Sequence, residues 1–344
     1  MLLIKEYTKI NSVSGNEDKV RRRILDEISS FADSVTVDTM GNIIALKKGT
    51  NPNGKKTVVS AHMDEVGLII TDITDDGFLK FASVGGIDPR ILLAQRVVIG
   101  DSEVCGVVGI KAVHLQKADE RKRVLQEREM YIDIGASSKE EAQAKVKKGD
   151  YAAFDSEFKQ LGGSMFKAKA LDDRVGCAIL TKLIKQEYES DIYFCFCVQE
   201  EVGLRGARVI SRRINADAAI VLEGTTCSDI AGQKPHEYAT VLGGGPVLSI
   251  MDRASYSDKE LNKFIENIAR ENSIAFQYKK SAMGGNDAGA YQTFGGACKT
   301  AVISLPCRYI HSPVSCADEN DYENMKRLAG EVLKNIQKFS AVTD

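Results

Sequence analysis

The sequence predicts an α/β fold in which a mixed sheet carries helices on both faces and a small β-rich region is inserted. After residue 162, apolar strands alternate with amphipathic helices, as in DIYFCFCVQ, RGARVISRRI and AAIVLEG. This alternation of strands and helices is typical of a buried sheet covered by helices. Residues 75–162 instead hold short strands broken by Gly-containing turns, which is typical of a small β domain.

The N-terminal region resembles the helix and strand pattern of the C-terminal region. An amphipathic helix is predicted in VRRRILDEISSF, followed by the strand-like runs SVTVDTMGNIIALKK and TVVSAHMDEVGLII. We therefore expect one domain from residues 1–74 plus 163–344, interrupted by an insertion at 75–162. The chain has 344 residues, more than the roughly 250–300 at which single cores stop growing, which also favours two domains.

Composition argues against several classes of partner. The formal net charge is −2 and no block of like charges occurs, so nothing favours nucleic acid or an anionic membrane. The apolar start MLLI is too short for a secretion signal, and no apolar run approaches the roughly 18 residues of a membrane-spanning helix. The eight cysteines lack CxxC spacing and are expected to be free, mostly buried thiols. We expect a cytoplasmic protein that acts on a small molecule or a peptide.

Imidazole and carboxylate side chains follow the predicted strands. His62 and Asp64 lie two apart, so they share a strand face, and Asp64 is placed to orient the His62 ring. Glu223 ends the strand AAIVL, and His311 follows the apolar run AVISLPCRYI. Strand ends are where α/β sheets place their ligand crevice. Each residue alone also fits a polar strand end with no further role.

Two acidic pairs complete the set. Asp172 and Asp173 precede a helix, where N-capping explains one of them and leaves the other available to bridge two cations. Glu200 and Glu201 end an apolar strand, and adjacent carboxylates there repel unless something positive is nearby. A solvated pair at a strand end is the alternative. Because consecutive residues project differently, one glutamate can bind a metal while the other faces a water.

Two imidazoles and three carboxylates suit Zn²⁺ or a similar divalent ion, and their number suits two ions that share a bridge. The other two histidines, His114 and His236, lack acidic companions and are expected to be structural. The residues therefore predict a metal site formed by His62, His311, Glu223, one of the aspartates Asp172 and Asp173, and one of the glutamates Glu200 and Glu201.

The chain resembles the glutamyl aminopeptidase family of co-catalytic two-metal metallopeptidases, which also includes deblocking aminopeptidases and chains labelled endoglucanases. The matching stretches are SVSGNED, SAHMDEVGLII, KALDDRVGCA, VQEEVGLRGA, GGNDAGA and PCRYIHSPVS. They span nearly the whole chain in the family's order. A single such motif would be weak, whereas several in the correct order are specific.

The resemblance implies an enzyme that removes N-terminal residues from peptides with water activated by two metal ions. It implies that His62 binds one metal and His311 the other, that Asp172 bridges them, and that Glu201 and Glu223 complete the sites. Glu200 would be the general base and Asp64 the residue that orients His62. The ions would be Zn²⁺, or alternatively Co²⁺ or Mn²⁺.

The resemblance also implies that the insertion is a PDZ-like barrel that builds homo-oligomeric shells, often of twelve subunits. We expect the insertion to be remote from the ligands and to serve this assembly. Two departures concern the site: Glu223 stands where many members carry Asp, and Asn286 stands where Thr is common, near the expected pocket for the substrate side chain. The resemblance leaves open which N-terminal residue is preferred.

Two other functions compete with this interpretation. A carboxylate-pair glycosidase needs no metal, but it would leave His62 and His311 without a role, and the chain has no Trp to stack on a sugar. A non-catalytic, metal-bearing assembly protein would not need the complete catalytic set. Both are less consistent with the sequence than a metallo-aminopeptidase.

Overall fold

The structure is a computed structural model that describes residues 1–339. Its strands are numbered in chain order. They are β1 Ser34–Val37, β2 Ile43–Lys47, β3 Lys56–His62, β4 Gly67–Ile73, β5 Leu79–Val84, β6 Arg96–Ile99, β7 Val104–Gly109, β8 Tyr131–Asp133, β9 Tyr151–Phe154, β10 Lys159–Gln160, β11 Met165–Ala168, β12 Asp191–Cys197, β13 Ala218–Thr226, β14 Val247–Leu248, β15 Gln277–Tyr278, β16 Lys299–Cys307 and β17 Ser315–Asp318.

The α-helices are numbered in the same way. They are α1 Leu2–Lys9, α2 Asp18–Ile28, α3 Lys139–Gln143, α4 Leu171–Leu183, α5 Arg205–Ile210, α6 Lys259–Glu271, α7 Ala288–Thr293 and α8 Glu319–Asn335. Within the described residues, none is both long and apolar enough to cross a membrane.

An eight-stranded mixed sheet forms the centre of the larger domain, in the order β1-β2-β12-β3-β13-β16-β14-β15. The inner strands β12, β3, β13 and β16 are parallel to one another, whereas β2 and β14 pair antiparallel at their flanks. The inner strands are almost wholly buried, which explains why they appear as continuous apolar runs in the sequence. The predicted mixed α/β architecture is confirmed.

Helices cover both faces of this sheet because strand side chains alternate. In β13, Ile220 and Leu222 join the core that also contains α1, α2, α4, α6 and α8, while Ala219 and Val221 join the opposite core with α5 and α7. Helix α4 packs directly on β3 and β13, the two central strands. Its N-terminal end therefore lies beside the ends of those strands.

A closed six-stranded barrel, in the order β4-β5-β8-β7-β6-β9, is inserted after β3 and has its own apolar core. Its first strand, β4, precedes the boundary expected at residue 75. The run TVVSAHMDEVGLII is not one strand but two, since β3 ends at His62 in the main sheet and β4 begins at Gly67 in the barrel. Both strands are apolar, so periodicity alone could not separate them.

The eight cysteines are all free, and six of them are buried, as the sequence predicts. Cys105 is exposed and Cys298 is partly buried. The helix predicted in VRRRILDEISSF is α2, whereas α1, formed by LLIKEYTK, has no counterpart among the predicted elements.

Candidate metal centre

The predicted ligands converge where the inner parallel strands end. His62 is the last residue of β3, Glu223 lies near the end of β13, and Glu201 follows β12. Parallel neighbours end at one edge of a sheet, so these side chains meet there. Asp172 is supplied by the start of α4 and His311 by the loop after β16.

Asp172 lies between the two imidazoles. Its Oδ1 atom is 3.3 Å from His62 Nε2, and its Oδ2 atom is 3.3 Å from His311 Nε2. Glu223 Oε1 lies 3.2 Å from His62 Nε2, and Glu201 Oε1 lies 3.3 Å from His311 Nε2. The five side chains therefore divide into two groups of three that share the Asp172 carboxylate. The additional methylene of Glu223 does not prevent its carboxylate from reaching this position.

The adjacent Asp173 has a different environment. Its Oδ1 accepts the Gly176 backbone N–H at 2.9 Å, as expected of a cap at the start of a helix, and its Oδ2 accepts the His62 N–H at 3.3 Å. The peptide bond between Asp172 and Asp173 is cis. Asp173 also lies close enough to Asp172 and Glu223 to complete a metal-sized group, but both of its oxygens already accept hydrogen bonds.

Asp64 organises the His62 side of the centre. Its carboxylate lies 3.4 Å from His62 Nδ1, which also lies 3.1 Å from the Asp64 carbonyl oxygen. The same carboxylate accepts the backbone N–H groups of Glu200 and Glu201 and the Ser14 hydroxyl, at 2.6 to 3.1 Å. Asp64 thus ties the His62 ring to the chain that carries the two glutamates. The residue pattern of the sequence does not predict this contact of Ser14 with Asp64, although Ser14 belongs to the SVSGNED stretch.

His311 is held from the barrel. Its Nδ1 donates to the carbonyl oxygen of Gly86, which follows barrel strand β5, at 2.9 Å. The His311 backbone has a φ of 59°, in the left-handed region that His adopts more often than most residues. The expectation that the insertion lies remote from the ligands is therefore wrong, because a barrel loop fixes one of the imidazoles.

Glu200 lies beside the centre without entering either group of three. Its Oε2 is 3.9 Å from His62 Nε2, and its side chain is about one-tenth exposed. Burial raises the pKa of Glu200 well above its usual range; nearby His62 lowers it, and the neighbouring carboxylates of Glu201, Asp287 and Asp64 raise it further. Such a carboxyl group suits proton transfer to and from a water.

The pKa shifts of the ligand side chains reflect a large excess of buried negative charge. Burial raises the pKa of Glu201 to about 7 and that of Glu223 well above its usual range. Burial lowers the pKa of His311, but Asp172 and Glu201 outweigh this and raise it to about 9. Burial also opposes charge on His62, yet Glu223, Asp172 and Asp64 raise its pKa well above normal. Several carboxylates so close together need positive charge to stay ionised.

Two buried oxygens show that metal ions fit this centre. Glu201 Oε1 and Glu223 Oε2 are inaccessible to solvent and accept no hydrogen bond, although Glu201 Oε1 lies 3.3 Å from His311 Nε2. Leaving such atoms unpaired costs free energy, and a divalent cation would satisfy both. His62, Asp172 and Glu201 also offer ligand atoms within 4.8 Å of one another. His114 and His236, by contrast, are exposed and lie in neither of the metal-sized groups found among the described residues.

A buried ion network beneath the centre is not evident from the sequence. Lys169 Nζ lies 2.6 and 2.7 Å from the two Glu65 carboxylate oxygens, and Arg174 donates to Glu65 at 3.3 Å and to the Met63 carbonyl at 2.8 Å. Arg174 is fully buried and also donates to the carbonyl of Tyr7 at the end of α1. The network links the segments that carry His62 and Asp172.

A cavity of about 420 Å³ opens onto the centre, and its lining includes Asp172, Glu223 and His311. This volume lies within the usual range for small-molecule sites. Asn286 also lines the cavity, and its amide donates to Asp252 at 2.8 Å.

Comparison with known proteins agrees with this geometry. The family described as M42 glutamyl aminopeptidase matches residues 41–328. A putative aminopeptidase of Acetivibrio thermocellus is 42% identical over 333 residues, which cover 96% of this chain and 97% of that protein. A lysyl aminopeptidase of Pyrococcus furiosus is 34% identical over 346 residues, which cover 97% of each chain.

A solved structure shares the fold. It is a TET1 peptidase of Pyrococcus horikoshii, described as able to assemble into a tetrahedron or a large octahedral shell. It has a TM-score of 0.86 and 35% identity, covering 96% of this chain and 98% of the other. The family resemblance inferred from the motifs is confirmed: this chain belongs to the M42 glutamyl aminopeptidase family and is a peptidase.

Proposed function

We propose that this aminopeptidase works with two divalent metal ions, to each of which Asp172 would contribute one carboxylate oxygen. The observation that carries the proposal is that the two Asp172 oxygens face different imidazoles, each at 3.3 Å. His62 and Glu223 would complete one site, and His311 and Glu201 the other. This mixture of imidazole and carboxylate donors favours Zn²⁺ and also suits Co²⁺ or Mn²⁺.

When bound, the two ions would supply Lewis acidity that polarises the scissile carbonyl and lowers the pKa of the attacking water. Glu200 would take the proton of that water and pass it to the leaving amine. Asp64 would keep the His62 ring in the orientation that points Nε2 towards Asp172 and Glu223.

Peptides with a free N-terminus are the proposed substrates. The cavity opens onto Asp172 and Glu223, and the free α-amine of a peptide would be held at that end by a metal ion or a carboxylate. Acetylation of the N-terminus should therefore remove most cleavage. The glycosidase alternative is less consistent with this centre, because each of Asp172, Glu201 and Glu223 lies within 3.3 Å of an imidazole nitrogen.

Assembly into a homo-oligomer, possibly a twelve-subunit shell, is part of the proposal. The TET1 peptidase with the same fold is described as forming closed shells. On this chain the barrel and its loops expose several large apolar side chains, namely Leu93, Val107, Val113, Leu115 and Val124. Exposed apolar groups of this kind are common at interfaces between subunits. A cytoplasmic location stays a prediction.

Light scattering tests the assembly. The chain should form a large homo-oligomer, and replacing both Val113 and Leu115 with Asp should reduce its mass. Both side chains are more than three-fifths exposed, so the change should leave the fold of the subunit intact. A stable monomer of the unchanged chain at micromolar concentration would refute this part of the proposal.

The adjacent glutamates test the metal mechanism. Glu200→Gln should keep its metal content but lose on the order of 10² to 10⁴ in kcat, because the general base is gone. Glu201→Gln should lose metal, because an amide replaces a coordinating carboxylate. Metal content and kcat are measured for both variants side by side, with chelation and metal add-back of the unchanged enzyme as the control. An active Glu200→Gln variant, or full activity after chelation, would show that the assignment is wrong.

A further inference from the structure

The loop that carries Glu200 has a backbone conformation that must be held in place. Strand β12 ends at Cys197, and Gln199 immediately precedes the glutamate. Gln199 has a φ of 56°, in the left-handed region that is unfavourable for a residue with a Cβ atom. Such a conformation persists where surrounding contacts stabilise it. The contacts of Gln199 therefore help to set the direction in which Glu200 leaves the chain.

Three successive backbone N–H groups of this loop donate to two buried carboxylates. The Gln199 N–H donates to Glu17 Oε1 at 3.1 Å. The N–H groups of Glu200 and Glu201 donate to Asp64 at 3.0 and 3.1 Å. Glu17 is 3% exposed, so water has little access to replace it as an acceptor. Glu17 thus holds Gln199 as Asp64 holds the two glutamates.

The Glu17 carboxyl group is itself fixed in place. Glu17 stands just before α2, yet within residues 1–339 its side chain caps no N–H group of that helix. Its Oε1 instead also accepts the Gly15 N–H at 2.8 Å. Gly15 has a φ of +92°, and an added Cβ would lie 2.7 Å from the Tyr151 hydroxyl of the barrel, so this turn favours glycine. Burial and the nearby Asp64 raise the pKa of Glu17 to about 7, but the neutral and the charged carboxyl group both offer an oxygen to these donors.

We infer that Glu17 is a positioning residue for the general base, because its hydrogen bond to the Gln199 N–H keeps Glu200 directed at the metal centre. The inference rests on the proposed function, which makes Glu200 the base. Loss of the contact should displace the base without removing a metal ligand, since Glu201 keeps its own hydrogen bond to Asp64. The effect should therefore fall on kcat rather than on KM or metal content.

Kinetics of Glu17 variants on Leu-anilide, together with their metal content, test the inference. Glu17→Met has a side chain of similar length without a strong acceptor, so kcat should fall by about 10- to 100-fold, as for a displacement of roughly 1 Å. KM and metal content should stay within about twofold of the unchanged enzyme. Glu17→Gln retains an oxygen that accepts both N–H groups and should keep kcat within about threefold. An unchanged kcat in Glu17→Met, or an equal fall in Glu17→Gln, would overturn the inference.

Asp321 supplies a matched control for the loss of a buried carboxyl group. It is 1% exposed and accepts the N–H groups of Gly243 and Gly245 at 2.7 and 2.8 Å, in a loop that carries none of the proposed site residues. Asp321→Leu should lower the stability of the fold, as Glu17→Met does, but leave kcat unchanged. A fall in kcat as large as that of Glu17→Met would show that the loss of any such carboxyl group has this effect, and the inference would be wrong.

A double-mutant cycle with Glu200→Gln separates positioning of the base from a general structural role. Once the base is gone, adding Glu17→Met should lower kcat further by less than about threefold. A further fall of the full 10- to 100-fold size would overturn the inference, whereas full activity of Glu200→Gln alone would count against the proposed function instead. If Glu17→Met does not fold, Glu17→Asp replaces it in both comparisons, because it keeps the charge but draws the oxygen back by one methylene, and the same direction of change is expected.

Discussion

The two imidazoles of the metal centre are built in different ways. His62 ends a central strand, its side chain is 1% exposed, and its backbone and ring are held by Asp173 and Asp64 of the same domain. His311 lies on a loop, its side chain is 33% exposed, and its ring is held by the carbonyl of Gly86 from the inserted barrel. One half of the centre thus depends on the sheet core and the other on a contact between two domains.

The inserted barrel therefore holds part of the metal centre in place, in addition to any role in assembly. Since the barrel loop after β5 orients His311, displacement of the barrel would disturb the proposed site at His311 and spare the one at His62. The sheet side of the centre is reinforced further by the buried Glu65, Lys169 and Arg174 network. Matched changes on the two sides of the centre should therefore have unequal effects.

The largest difference is expected for the stability of the metal-free protein. His62→Gln should lower the free energy of unfolding by about 3–5 kcal/mol, because it leaves buried carboxylates without their cation. His311→Gln should cost less than His62→Gln, because the His311 side chain is one-third exposed and water can replace part of its interaction with the carboxylates. Denaturant unfolding of both variants, with exposed His236→Gln as the control, gives the comparison. Equal losses for His62→Gln and His311→Gln would show that the two sides do not differ.

A smaller effect is expected from the barrel loop. Gly85 has a φ of +85°, and an added Cβ would lie 2.8 Å from Val66 Cγ1, so Gly85→Ala should displace the loop. Metal affinity at the His311 side should fall by about 10- to 100-fold, as for loss of a ligand's supporting contact, with the His62 side unchanged.

The neighbouring glycine supplies the control. At Gly86 the nearest atom to an added Cβ is His311 Nδ1 at 3.6 Å, an ordinary contact, so Gly86→Ala should bind metal normally. Calorimetric titration with Zn²⁺ resolves the two sites in each variant. If Gly85→Ala binds both ions as the unchanged protein does, the barrel contact does not support His311.

Much of the architecture could be predicted because strand and helix periods in this chain agree with its tertiary structure. The inner parallel strands are buried on both faces, so they appear as apolar runs, and their ends identify Glu201, Glu223 and His62 as neighbours. Helix capping predicts a role for only one of the two aspartates and does not say which; the hydrogen bonds of Asp173 identify it as the capping residue.

Other features had no sequence signal that could reveal them. The Gly86 contact is made by a backbone carbonyl, which any residue would offer. The Glu65 and Lys169 pair joins residues far apart in the chain, so neither charge appears unusual until burial is known. Barrel strand β4 lies before residue 75 and continues the apolar character of β3, so the sequence does not mark where the barrel begins.

Counting metal ions per chain tests the central claim most directly. Elemental analysis and native mass spectrometry of the zinc-loaded protein should find two ions per chain, one in His311→Gln, and fewer than one in Asp172→Asn, because only Asp172 belongs to both groups of ligands. A single ion in the unchanged chain, or two ions retained in Asp172→Asn, would contradict a centre bridged by Asp172.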